Sequence, residues 1–211
     1  MKKQLSNPCT IYLVRHGETD YNLEFRVQGH VDTKLNPKGI KQAKSRAKHL
    51  KNIKFDAAYS SDLIRAKKTA EIIATEHNLT VLATNLIRER SFGHLEGRYW
   101  NEIMVEMKDL FDHYHSLATP ERFKYKPFKA YDSDEELVSN LITFLRELAL
   151  THANKTVLVV SHGGLMRAFL VHLGYANNNN YDKISIKNTG YIKFESDGVE
   201  FDVLDMVDIE Y

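Results

Sequence analysis

Cys9-Thr10-Ile11-Tyr12-Leu13-Val14-Arg15-His16-Gly17-Glu18-Thr19 is the stretch whose reading decides the fold. A short apolar run ends at a histidine followed by glycine, which reads as a buried strand passing into a loop. Far along the chain, Thr156-Val157-Leu158-Val159-Val160-Ser161-His162-Gly163-Gly164 repeats the arrangement, and its β-branched residues favour a strand. Side by side in a parallel sheet, the two strands would deliver His16 and His162 to one edge, where open α/β folds bind their ligands. Two imidazoles and Arg15 at such an edge suit a phosphate site that contains a nucleophile.

Outward from these strands, helical and extended patterns alternate. Residues 17 to 37 read as a loop, and Asn36-Pro37 reads as a helix cap and first helical position. Ile40, Ala43, Ala47 and Leu50 then fall on one face. Phe55 to Ser60 predicts a second strand, and Ser61-Asp62 predicts a cap for a helix with the stripe Leu63, Ala66, Ala70, Ile73 and Ala74. A weaker strand follows over Val81 to Leu86, then a charged loop over 87 to 97, then a helix over Tyr99 to Phe111. His113 to Tyr131, with Pro120, Pro127 and five aromatics, reads as a mobile flap or cap. Ser133 opens a helix to about Ala149, and another runs from Gly164 to about Leu173. Asn177 to Asn180 reads as a polar turn, and the tail as strands joined by tight turns at Asn188-Thr189-Gly190 and Asp197-Gly198. This order predicts a three-layer αβα sandwich: a mostly parallel central sheet, an antiparallel edge strand and a small cap over the site.

Composition narrows the function. The 211 residues suit one domain, 1–211, with a cap over about 98–131. A net charge of +1 argues against a nucleic-acid partner, so an anionic substrate must be met by local clustering. No apolar run is long enough for a membrane span. The start, Met1 to Pro8, lacks the apolar core of a secretory signal, which leaves the cytoplasm as the expected compartment. The single cysteine, Cys9, cannot form an intrachain disulfide and reads as a small buried group. His113 and His115 lack a third ligand, so no metal site is expected. The aromatics Phe111, Tyr114, Phe123, Tyr125 and Phe128 either line a substrate pocket or pack the cap.

Arg15-His16-Gly17-Glu18-Thr19 after an apolar strand resembles the signature of the histidine phosphatase superfamily, in its phosphoglycerate mutase-like branch. The resemblance continues through Gln28-Gly29-His30-Val31-Asp32, Leu35 to Gly39, Ser60 to Ala66, Arg88 to Gly97 and Ser161 to Gly164. It implies that His16 is a nucleophile, and that Arg15, Arg65, His162, Asn22 and Gly163 bind the phosphoryl group. It also implies that Glu89 is the general acid and base. No cofactor is implied. The plainer alternatives are a turn residue at Asn22, a solvated charge at Arg65 and a surface carboxylate at Glu89, with Glu18 and Glu96 as competing acids. A neutral imidazole attacks phosphorus only if its other nitrogen is held as N–H by an acceptor. The stretch Ser91 to Gly97 and the short segment from Trp100 to Tyr131 are more similar to phosphatases than to mutases. Tyr131-Asp132-Ser133 and Asn140 depart from the family's pattern and leave the substrate open. The expected activity is metal-independent hydrolysis of a small phosphomonoester through a phosphohistidine. The alternatives are a cofactor-dependent phosphoglycerate mutase and a silent phosphoryl-binding protein.

Overall fold

The computed structural model describes residues 5–175 and 181–211, so the expected turn over Asn177 to Asn180 lies outside the described residues. The chain begins with β1 (Cys9–Arg15), α1 (Asp20–Leu23), α2 (Pro37–Leu50), β2 (Ala57–Ser61), α3 (Ile64–Thr75) and β3 (Val81–Thr84). Three cap helices follow: α4 (Trp100–Glu106), α5 (Lys108–Ser116) and α6 (Thr119–Lys124). The long α7 (Asp134–Thr151), β4 (Thr156–Ser161), α8 (Gly163–His172), β5 (Ser185–Ser196) and β6 (Phe201–Glu210) complete it.

The six strands form one sheet in the order β3-β2-β4-β1-β5-β6. β1 to β4 are parallel, and the β5–β6 hairpin adds the antiparallel edge. Both faces are covered, so successive residues of the inner strands enter different cores. Ile11 and Leu13 of β1, with Val157 and Val159 of β4, pack under α7 and α8. Tyr12 and Val14, with Leu158 and Val160, pack under α2 and α3. Cys9 is fully buried in the first core, which pushes its thiol up to about 12.

The helix ends show which local signals act in the fold. Asn36 caps α2 by accepting from Gly39 N–H, with Pro37 at the first position. Ser133 and Glu136 form a reciprocal capping box at the start of α7. The expected Ser61-Asp62 cap of α3 does not form. Leu63 occupies the cap position, and Asp32 from a distant loop accepts the Ile64 N–H at 2.7 Å. Asp62 instead binds Arg88 through two hydrogen bonds of 2.7 and 2.6 Å. On α2, Ile40 is exposed and Arg46 is buried in its place, reaching Thr189 O and Asp208 beneath the edge hairpin.

Three segments differ from expectation. The helix over Tyr99 to Phe111 breaks at Met107, which leaves helical geometry between α4 and α5. The stretch from His113 to Tyr131 is not without structure: α5 extends to Ser116, and α6 starts with Pro120 in its first turn. Val27, Leu95, Ile103, Phe111 and Tyr114 form a separate small core there, backed by Tyr125 and Phe128. Asn188-Thr189-Gly190 is not a hairpin turn. It is an irregularity inside β5, between Ile186 and Tyr191, with Thr189 at φ 63°. The hairpin turn lies at Asp197 to Glu200, where the Asp197 side chain accepts two backbone N–H groups.

Candidate active site

β1 and β4 run in register, with Arg15 opposite Ser161, so the residues that follow them emerge at one level. His16 N–H donates to Ser161 O at 3.0 Å. The rings of His16 and His162 lie 5.2 Å apart, centroid to centroid, edge to face. The loop after β1 is pressed on the first turn of α2. A methyl group on Gly39 would lie 2.0 Å from Glu18 O, and one on Gly17 would lie 2.6 Å from Gly39 O. Only glycine permits that approach. The β5 irregularity secures the other side, where Asn188 Nδ2 donates to His16 O at 3.1 Å.

His16 Nδ1 lies 2.6 Å from Gly17 O. A carbonyl can only accept, so Nδ1 carries the proton and Nε2 keeps its lone pair. Burial, then the charges of Arg65 and Arg15, hold the imidazole well below its usual 6.5. His162 is depressed in the same way, first by burial and then by Arg65. Neither of its buried ring nitrogens has a hydrogen-bond partner among the described residues.

The pH dependence of stability follows. An unfolded histidine takes up a proton below about 6.5, whereas these two stay neutral to much lower pH. The unfolded chain therefore binds more protons, and stability present above that value is lost as pH falls. Tm should drop between pH 7.5 and pH 5, and His16→Ala should narrow the drop.

Arg65 is fully buried. It donates to Val31 O at 2.9 Å and Gly29 O at 2.7 Å but to no carboxylate among the described residues. Burial lowers it to about 10, so it remains charged at neutral pH. Arg15 donates to Ile186 O, leaving its Nε buried without a partner among the described residues. Glu89 sits on the first turn of α8. Its oxygens accept from Gly164 N–H at 2.9 Å, Leu165 N–H at 3.2 Å and Arg90 N–H at 2.9 Å. Arg90 turns away from Glu89 and pairs with buried Asp134.

These groups meet in a cleft of about 590 Å³. Arg15, His16, Asn22, Arg65, Glu89 and Gly163 line it, and the buried His162 ring stands 5.2 Å from that of His16. Asn22 has two contacts of note. It closes the capping box of α1 with Thr19 and also faces the cleft.

A family description, "Histidine phosphatase superfamily (branch 1)", matches residues 11–209. The chain belongs to this superfamily. A "Metal-independent phosphoserine phosphatase" of Arabidopsis thaliana is 35% identical over 175 residues, covering 82% of this chain and 72% of the relative. The crystal structure of a phosphoserine phosphatase from Entamoeba histolytica in complex with 3-phosphoglyceric acid is similar with a TM-score of 0.76 and 27% identity, over 94% of this chain and 96% of that one. A phosphoglycerate mutase from Bacillus anthracis matches with a TM-score of 0.83 and 25% identity, over 95% and 93%.

Within this histidine phosphatase the competing carboxylates have other partners. Glu18 binds Lys38 at 2.8 Å and Asn36 at 3.1 Å, and these bonds hold it below the usual carboxylate range. Glu96 accepts the N–H groups of His30 and Phe92, clasping two loops together. The cap aromatics Phe111, Tyr114, Tyr125 and Phe128 pack with one another and Phe123 packs against the main core, so none of the five lines the cleft. The aromatic wall is built instead from Tyr21, Phe25, Phe92 and Trp100. Arg167 and Asn188 also line the cleft without having been singled out in the sequence. Arg167 stands one turn beyond Gly163 on α8, a spacing that shares its face and could have revealed it. Asn188 had no local signal. Among the described residues no group of three or more potential metal ligands occurs, and no helix is long and apolar enough to cross a membrane.

Proposed function

We infer that this chain is a phosphomonoesterase that acts by two transfers at His16. The observation that carries the reading is the His16 Nδ1 contact with Gly17 O at 2.6 Å. It leaves Nε2 free to attack in a cleft lined by Arg15 and Arg65. In the first transfer Nε2 bonds to phosphorus, the ester P–O bond breaks and Glu89 gives its proton to the leaving alkoxide. In the second, water gives a proton to Glu89, its oxygen bonds to phosphorus and the P–N bond breaks. The products are the alcohol and inorganic phosphate, and the enzyme returns to its starting state.

Arg15 and Arg65 match the phosphoryl oxygens with charged donors. His162, with no hydrogen-bond partner of its own among the described residues, and Asn22 add to them, and Gly163 lets the backbone of α8 come close. A methyl group at Gly163 would sit 3.0 Å from Arg15 Nε. Since these arginines supply the positive charge, the steps need no metal. Residues 1–211 are taken as one catalytic domain, with about 98–131 as its cap. The cytoplasm is the proposed location, because phosphorylated metabolites are too charged to leave it by diffusion.

Glu89 depends on its seat at α8. A methyl group on Gly164 would fall 2.4 Å from Glu89 Oε1, the movable end of a side chain. Gly164→Ala should therefore leave Tm nearly unchanged and lower kcat by about tenfold or more, since misplacing a catalytic group is costly. Steady-state assays beside thermal melts check this.

Phosphoserine is the first compound to assay, since the Arabidopsis thaliana and Entamoeba histolytica proteins are phosphoserine phosphatases. The likeness to a phosphoglycerate mutase sustains one rival. Incubation with phosphoserine and other phosphomonoesters, and separately with 3-phosphoglycerate plus a trace of 2,3-bisphosphoglycerate, separates them. Release of phosphate supports the hydrolase, and isomerisation without release would support the mutase.

A further inference from the structure

The aromatic part of the cleft has a feature that phosphoryl transfer does not require. Phe25 is 79% exposed, and its φ is 55°. That is the left-handed region, where glycine is at ease and a bulky residue is not. Packing inside the fold does not account for the ring, since most of it faces solvent. The backbone is held from both sides. Trp100 N–H donates to Phe25 O at 2.9 Å, and Val27 N–H donates to Arg98 O at 3.0 Å. Arg26 binds the Tyr99 hydroxyl at 2.9 Å and lies 4.5 Å above that ring.

Trp100 is 39% exposed and rests edge-on against Phe92 and Phe111 at 6.2 and 5.6 Å. It therefore offers a fixed apolar surface beside Phe25. The left-handed backbone at Phe25 closes the C-terminus of α1, with Phe25 N–H donating to Asn22 O and Arg26 N–H to Tyr21 O. That cap asks nothing of the side chain, and exposed aromatic rings at the mouth of a cleft gain most when a flat or apolar group covers them. We propose that Phe25 and Trp100 form a subsite for the alcohol portion of the substrate, which selects phosphomonoesters with an apolar or aromatic body. This rests on the phosphomonoesterase reading above and specifies what that reading leaves open.

Phenethyl phosphate and ethyl phosphate have alcohols of similar basicity and differ in the ring, so their kcat/KM ratio reads the subsite. The ratio should be about ten or more in the unmodified enzyme, the equivalent of partial burial of one ring. Phe25→Gly should lower it by about fivefold while Tm holds or rises by about 2 °C, because glycine relieves the left-handed strain. Trp100 is the only tryptophan in the chain. In His16→Ala, which does not turn over, phenethyl phosphate should change its fluorescence saturably, and inorganic phosphate should not.

A ratio near one, or fluorescence that ignores the ring-bearing ester, would overturn the subsite. So would a Phe25→Gly variant that loses both activities equally and melts earlier, because the ring would then be structural. Absence of hydrolysis of either ester would count against the phosphatase reading instead. The fluorescence titration would still decide the subsite.

Discussion

His16→Ala should lower phosphate release by about five orders of magnitude or more, the scale seen when a covalent nucleophile is removed. The expected size rests on position. No other side chain brings an unprotonated nitrogen to the floor of the cleft with its second nitrogen fixed on a carbonyl, among the described residues. His162 cannot substitute readily. Neither of its ring nitrogens has a partner to fix the tautomer among the described residues, and its ring centre stands 5.2 Å from that of His16. Arg15 and Arg65 remain in the variant, so it should still bind phosphate. Phosphate release and equilibrium phosphate binding, measured on the same preparation, separate lost chemistry from lost fold. A loss of only a few-fold would mean that another group attacks phosphorus.

Glu89→Gln should cut turnover by about two to four orders of magnitude, the usual range for a general acid and base. The effect should depend on the leaving group. An alkoxide needs a proton as the P–O bond breaks, whereas nitrophenolate leaves without one. With p-nitrophenyl phosphate the variant should give a burst of nitrophenol and then stall, since water still lacks its base. With an alkyl ester such as phosphoserine there should be no burst. Equal losses for both esters in the burst phase would remove Glu89 from the first transfer. Glu18 is the poorer candidate because its carboxylate is already bound by Lys38 and Asn36.

The parallel core of the fold was legible because each signal there is local. Apolar runs at Ile11 to Val14 and Val157 to Val160 mark strands buried on both faces. Asn36-Pro37 and Ser133 with Glu136 carry their own caps. Legibility ended where partners are distant. The α3 cap comes from Asp32, which no window around Ser61 could reveal. The Asn188-Thr189-Gly190 run has turn composition, yet it is a β5 irregularity whose Asn188 and Thr189 both donate to His16 O. In the cap, Pro120 after Thr119 was a readable helix start, masked by charged and aromatic neighbours without a clear period.

The site divides in the same way. Arg15, His16, His162 and Gly163 follow directly from two strand ends that lie in register. Arg65 and Glu89 required the resemblance, since a buried arginine bonded to the carbonyls of Gly29 and Val31 has no sequence mark of burial. Of the two readings open for Phe111, Tyr114, Phe123, Tyr125 and Phe128, the structure shows packing, and the aromatic wall comes from residues without a local signal. Composition put rings near the cleft, but only the packing of α4 and α5 separates Phe25 and Trp100 from the five aromatics of the cap core and main core.

Rapid quench with a radiolabelled phosphomonoester, followed by acid and alkali stability tests and peptide mapping, examines the phosphoenzyme itself. The label should be acid-labile and alkali-stable and should map to the peptide that contains His16, with none trapped in His16→Ala. Label that survives acid, or that maps to a serine or carboxylate peptide, would contradict attack by the imidazole.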